Sequence, residues 1–106
     1  MDKAKKKTLE KAGWKLGSAA EFLAMSPEEE VLLEIRLALA QAVKDRRKRK
    51  RLTQAEFAKC VSSSQSRVAK MEAGSPTVSL DLLLKALTAM GASRAEVAKA
   101  IRSKVA

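Results

Sequence analysis

The chain has 106 residues, 46% apolar and 32% charged, enough for one packed core but too few for two that fold alone, and too apolar for a disordered chain. It carries 22 Lys and Arg against 12 Asp and Glu, a net charge of +10, with a single cysteine (Cys60) and no histidine. That inventory excludes an internal disulfide, zinc sites and most nucleophile–base pairs, so the expectation is a non-enzymatic protein with no cofactor and no metal.

The basic excess favours a polyanionic partner, either nucleic acid or an anionic surface. It is unevenly placed. Residues 21–43 hold Glu21, Glu28, Glu29, Glu30 and Glu34 against Arg36 alone, whereas residues 44–70 hold ten Lys or Arg against Asp45 and Glu56. No apolar run approaches the ~18 residues of a membrane span. The basic start followed by Trp14–Met25, broken by Lys15 and Glu21, makes a poor signal peptide. A cytoplasmic location without membrane contact is expected.

Residues 1–12 lack an apolar pattern and read as a flexible basic arm. Residues 13–25 read as an extension that packs on the first long helix. Within it Gly13 and Gly17 flank Trp14 and Leu16, and Ser18 with Glu21 could cap a short helix carrying Phe22 and Leu23. The main domain covers 26–106. Ser26, Pro27 and Glu29 supply a cap, a first-turn proline and a capping carboxylate, starting a helix that runs to about Lys48. Leu32, Ile35, Leu39, Ala42 and Val43 define its core face, while Leu33, Leu37 and Ala40 form a second apolar stripe. That stripe must be covered by the Trp14–Leu23 segment or by another protein.

Three short helices follow: Thr53–Val61, opened by the capping box Thr53 and Glu56; Ser64–Ala73, stopped by Gly74; and Ser79–Met90, stopped by Gly91. In the third, Leu80, Leu83, Ala86, Leu87 and Met90 point inward. A last helix begins after Ser93, with Glu96 three residues on, and presents Val97, Ile101 and Val105. No period-two alternation marks a strand. The fold expected is all-α, with five main helices.

The stretch 53–74, TQAEFAKCVSSSQSRVAKMEAG, pairs two helices of about nine residues across a three-residue joint. Ala58 is the small residue at the crossing; Phe57, Val61, Val68 and Met71 face inward; Glu72 and Gly74 close the unit. Such a pair leaves the second helix a free polar edge that fits the major groove. This segment, with VSLDLLLKALTAMG behind it, resembles the Cro/cI-type (XRE-type) helix-turn-helix family of phage and bacterial repressors. Two departures from the family stand out. Ser62 and Ser63 stand where the turn usually carries Gly and an apolar residue, and Arg51 stands where Gly commonly ends the preceding helix, so that this turn could be rebuilt. A non-Gly residue at positive φ costs about 1 kcal/mol or more.

The pose implies base readers at Gln65, Ser66, Ala69 and Lys70; glutamine can bond adenine in bidentate fashion and lysine can reach guanine. The resemblance assigns Gln54 to phosphate contact and to bracing the first reader. Thr53 and Arg67 suit phosphate. The run Lys44–Arg51 has seven cations in eight residues, favourable at a helix C-terminus in any case. Placed just before the motif it reads as a phosphate clamp through Arg46, Lys48, Arg49, Lys50 and Arg51, which for four to six contacts gives a log–log salt slope of roughly −4 to −5. The resemblance sets Arg47 apart as the partner of Glu72. Cys60 reads as a half-buried filler, and Met71 and Met90 as core.

Residues 13–37 exceed a minimal repressor and, more loosely, resemble the extension of HigA-like antitoxins, whose partners are RelE/HigB-like toxins. That resemblance implies a toxin-binding surface including Trp14, Phe22, Glu28, Glu29, Glu30, Leu33, Glu34 and Leu37. Two alternatives stand beside an autoregulating antitoxin: a free-standing phage or host repressor, and a general RNA- or ribosome-binding basic protein. Operator binding implies a homodimer on double-stranded DNA with half-sites ~34 Å apart. Val97 and Ile101 are the first candidate surface for pairing, and Leu33 with Leu37 the second.

Overall fold

The structure, a computed structural model, describes residues 25–103. The arm, Trp14, Phe22 and Val105 therefore lie outside the described residues. Among those described, five helices and no strand are present: α1 (Pro27–Arg49), α2 (Gln54–Cys60), α3 (Gln65–Ala73), α4 (Leu80–Ala89) and α5 (Arg94–Arg102). The all-α expectation is met.

Helix α1 is the spine, packed against α3, α4 and α5. Its start is set by Ser26, whose hydroxyl accepts the Glu29 N–H at 3.2 Å, and by Pro27 in the first turn. Three glutamates then lie at the positive end of its dipole and four cations, Arg46–Arg49, at the negative end. All four other helices begin on a Ser or Thr cap whose oxygen accepts the N–H three residues on, each satisfying one of the donors that a helix start leaves unpaired.

The ends of α1 to α4 share one geometry. Each stops at a residue in the left-handed region: Arg51 (φ 56°), Ser62 (φ 53°), Gly74 (φ 72°) and Gly91 (φ 89°). In each, the following N–H reaches back five residues, Leu52 to Arg47, Ser63 to Ala58, Ser75 to Lys70 and Ala92 to Leu87, at 2.8–3.2 Å. These are Schellman ends, which satisfy carbonyls that a helix would otherwise leave bare. The turn at Arg51 is therefore not rebuilt around its missing glycine. The arginine adopts the conformation glycine would have taken, because Leu52 must turn back into the core.

The core gathers Leu39 and Val43 of α1, Phe57 and Ala58 of α2, Val68 and Met71 of α3, Val78, and Leu83, Ala86, Leu87 and Met90 at α4. Ile35, Ala42, Leu80 and Val97 pack on its margin. One expectation for α1 is corrected: Leu32 is 54% exposed rather than part of the core face. The second stripe is covered, with Leu33 and Leu37 3% and 5% exposed. Around Leu37 the chain after α3 supplies the cover. Leu37 lies so close to Gly74 that a Cβ there would stand 3.0 Å from Leu37 Cδ2. Arg36 donates to the carbonyls of Ser75 and Val78, holding the connection to α4 across this side of α1.

Candidate nucleic-acid interface

The two motif helices owe their mutual position to small local devices. In α2 the capping box is complete: Thr53 Oγ1 accepts the Glu56 N–H at 3.1 Å and Glu56 Oε1 accepts the Thr53 N–H at 2.9 Å. These bonds, the backbone one foremost, hold the Glu56 carboxyl below the usual carboxylate range. Phe57 and Ala58 then enter the core, fully buried and 3% exposed. The joint turns at Ser62, and Ser64 restarts the helix by accepting the Arg67 N–H at 3.1 Å. Ser63 takes the slot of an apolar residue, and its hydroxyl oxygen is buried without a partner.

Helix α3 is anchored by its back. Val68 and Met71 are completely buried, while Gln65, Ser66, Arg67 and Lys70 are exposed and Ala69 is half-buried. An uncovered polar edge on a short, firmly seated helix is the shape that enters a major groove.

The far end of α3 is clamped. Arg47 donates from Nε to Glu72 Oε2 at 2.5 Å and from Nη2 to Glu72 Oε1 at 2.9 Å, with both side chains nearly out of solvent, and from Nη1 to the Leu52 carbonyl at 2.9 Å. Bonding to Glu72 strengthens the guanidinium's hold on its proton. Gln54 Nε2 donates to Glu72 Oε1 at 3.3 Å. One carboxylate thus joins the end of α1, the start of α2 and the end of α3. The bracing expected between Gln54 and the first reader is corrected to this contact, since the glutamine amide is turned towards Glu72.

The cationic run divides. Lys48, Arg49, Lys50 and Arg51 are exposed at the end of α1, one short turn before α2, and Thr53 is exposed at the start of the motif. Arg46, expected among the phosphate ligands, is engaged within the chain. Its Nη1 donates to the Met90 carbonyl at 3.3 Å and its Nη2 meets Glu96 Oε2 at 2.5 Å, leaving its side chain 14% exposed. With the Ser93 N–H and Arg46 as partners, the Glu96 carboxyl lies below the usual range. Cys60 is exposed, not half-buried, at the end of α2.

Sequence reasoning missed the ties made by Arg36 and Arg46. Arg36 was discoverable as the lone cation in an acidic stretch. Arg46 carried no signal among six similar neighbours. Of the surface assigned to a partner, Leu33 and Leu37 are buried, Glu28, Glu29 and Glu34 exposed and Glu30 half-buried, and Trp14 and Phe22 lie outside the described residues.

Among the described residues no group of His, Cys, Asp or Glu could hold a metal ion, and no helix is long and apolar enough to cross a membrane. The family model of a helix-turn-helix domain matches residues 38–100, more than half of the chain. Neither the curated proteins nor the solved structures contain a significant match.

Proposed function

The chain belongs to the helix-turn-helix domain family, and from that premise we propose that it is a sequence-specific DNA-binding regulator that lays α3 in the major groove and represses from its site. The observation that carries this is the exposed Gln65–Lys70 edge on a helix whose back is wholly buried. In this reading Gln65 bonds adenine, Lys70 reaches guanine, and Ser66 and Ala69 read the remaining edges, Ala69 through a thymine methyl. Thr53, Arg67, Lys48, Arg49, Lys50 and Arg51 hold phosphates, which position the helix without specifying sequence. The test is duplex selection followed by titration. A groove reader prefers its selected duplex by ~10³ or more over random sequence at physiological salt. Equal affinity for random DNA and structured RNA would replace this reading with a general RNA-binding one.

A second reading, that the chain is the antitoxin of a toxin–antitoxin pair, is favoured by one surface. Val31 and Leu32 are each 54% exposed and flanked by exposed Glu28, Glu29 and Glu34. A basic, partly apolar protein such as a RelE/HigB-like toxin would suit that face, and free-standing repression would leave it idle. Co-expression with the product of a neighbouring short basic reading frame decides between them. A stable complex that Leu32→Glu disrupts supports the antitoxin reading.

A further inference from the structure

Outside the motif a cleft of about 380 Å³ opens between α1 and α5, within the size range of small-molecule sites. Ala38, Ala42, Leu87, Val97 and Ala100 give it an apolar lining. The α1 residues that line it recur at helical spacing from Ala38 to Arg49, so one face of that helix forms the wall. Single methyl groups on both walls leave the space unfilled by the chain itself, and α5 contributes no fully buried residue.

Charged side chains line the same space: Asp45, Arg46 and Arg49 from α1, Glu96 and Lys99 from α5. Arg46 and Glu96 cancel in their ion pair, and Asp45 accepts a hydrogen bond from Gln41 Nε2 at 2.8 Å. Arg49 and Lys99, one on each wall, are exposed, and neither has an ion-pair partner among the described residues. With three cations against two acids, the lining carries one positive charge in excess beside its apolar surface. A neutral molecule would leave both free cations without a partner, and a dianion such as phosphate would exceed the available charge and face Asp45. A monoanion with an apolar body matches both the charge and the lining. We propose that the α1/α5 cleft binds a small monocarboxylate, its apolar body on the alanine-rich lining and its carboxylate against Arg49 and Lys99.

Arg49 also stands among the residues proposed to hold phosphate, and this shared cation gives the site a regulatory consequence. A carboxylate seated on Arg49 withdraws it from the duplex, so ligand and DNA each weaken the other's binding by the same factor. The binding site stands independently of the DNA reading; the antagonism rests on that reading.

The experiment is calorimetric titration of the full chain, without DNA, with 4-phenylbutyrate and with octanoate, each beside its alcohol as the uncharged control, and with inorganic phosphate. At least one carboxylate saturates with a dissociation constant of about 1 mM or tighter, and the pair shows whether an aromatic or a straight-chain body fits better. Its alcohol binds about tenfold more weakly, and phosphate does not saturate. Lys99→Ala weakens the carboxylate about threefold to fivefold and leaves the alcohol unchanged. Ala42→Leu fills the cleft and abolishes binding of both with no fall in melting temperature. No saturable binding by either carboxylate, an alcohol as tight as its acid, phosphate as tight as a carboxylate, an affinity unmoved by Lys99→Ala, or full binding by Ala42→Leu would each overturn the proposal. With the selected duplex present, saturating carboxylate raises the duplex dissociation constant about threefold or more and lowers the salt slope by about one; an unchanged duplex affinity would overturn the antagonism. A chain that binds carboxylate but no duplex would refute the DNA reading alone.

Discussion

Replacing Glu72 by Gln tests whether the clamp holds the motif together or merely decorates it. Glu72 accepts three hydrogen bonds, two of them charge-assisted from Arg47, and its side chain is only 5% exposed against 13% for the arginine. Glutamine keeps the shape but turns one acceptor into a donor that faces the guanidinium. Breaking a fully buried pair costs about 3–5 kcal/mol. Water can reach the rim of Arg47, so the loss here should be about 2–4 kcal/mol. In a domain of this size about 1 kcal/mol corresponds to roughly 4–8 °C in melting temperature, so a fall on the order of 10–25 °C is expected. Urea unfolding of wild type, Glu72→Gln, Arg47→Met and the double variant completes the cycle. The double variant should lie well above the sum of the singles, because the second change removes the stranded charge. A loss below about 0.5 kcal/mol for Glu72→Gln, the range of an exposed ion pair, would refute the clamp.

Ser62→Gly should raise stability by about 0.5–1 kcal/mol by relieving the left-handed serine, measured by urea midpoint. Gly74→Ala should cost at least about 1–2 kcal/mol in the same assay, since it combines φ 72° with a Cβ 3.0 Å from Leu37. Ser63→Ala should be neutral or stabilising by about 1 kcal/mol, because the buried hydroxyl has no partner to lose. For acid sensitivity the sign follows from Glu56 and Glu96, both depressed in the folded state. Their contribution is present above the ordinary carboxylate range and is lost as pH falls through that range and below it. Melting temperature against pH should show this decline, and Glu96→Gln should flatten it. Among the proposed duplex contacts, Gln65→Ala should relax base preference, whereas Lys50→Ala should weaken all duplexes alike and reduce the salt slope by about one.

The helices were legible because each carries its own start and stop. Ser26, Thr53, Ser64, Ser79 and Ser93 all cap as their spacing with the following residues suggests, and Gly74 and Gly91 end two helices. The Arg47–Glu72 pairing came from family resemblance; periodicity alone does not distinguish Arg47 from Arg46. Long-range ties were illegible for the same reason. Whether an arginine meets solvent, a carbonyl or a carboxylate depends on which turn of a distant loop passes over it, as Ser75 and Val78 do over Arg36. The facing of α1 was misread because a 23-residue helix that touches three others has no single apolar side. Leu32 and Leu33 are neighbours in sequence with opposite fates.

The clamp at Glu72 also acts as the pivot of a lever. From Glu72 back to Gln65 helix α3 spans about 10 Å at 1.5 Å per residue, so a tilt of roughly 6° about the pivot carries the exposed Gln65 edge about 1 Å sideways. Hydrogen bonds to base edges tolerate only a few tenths of an ångström. Arg47 fixes the pivot at the carboxylate, and Arg36 fixes the backbone just beyond it through the Ser75 and Val78 carbonyls. Two points of support remove a rotation that one would permit. If α3 reads base edges as proposed, fidelity at Gln65 is governed by Arg47 and Arg36 behind it, and a lysine in place of either should blur discrimination before it noticeably lowers affinity.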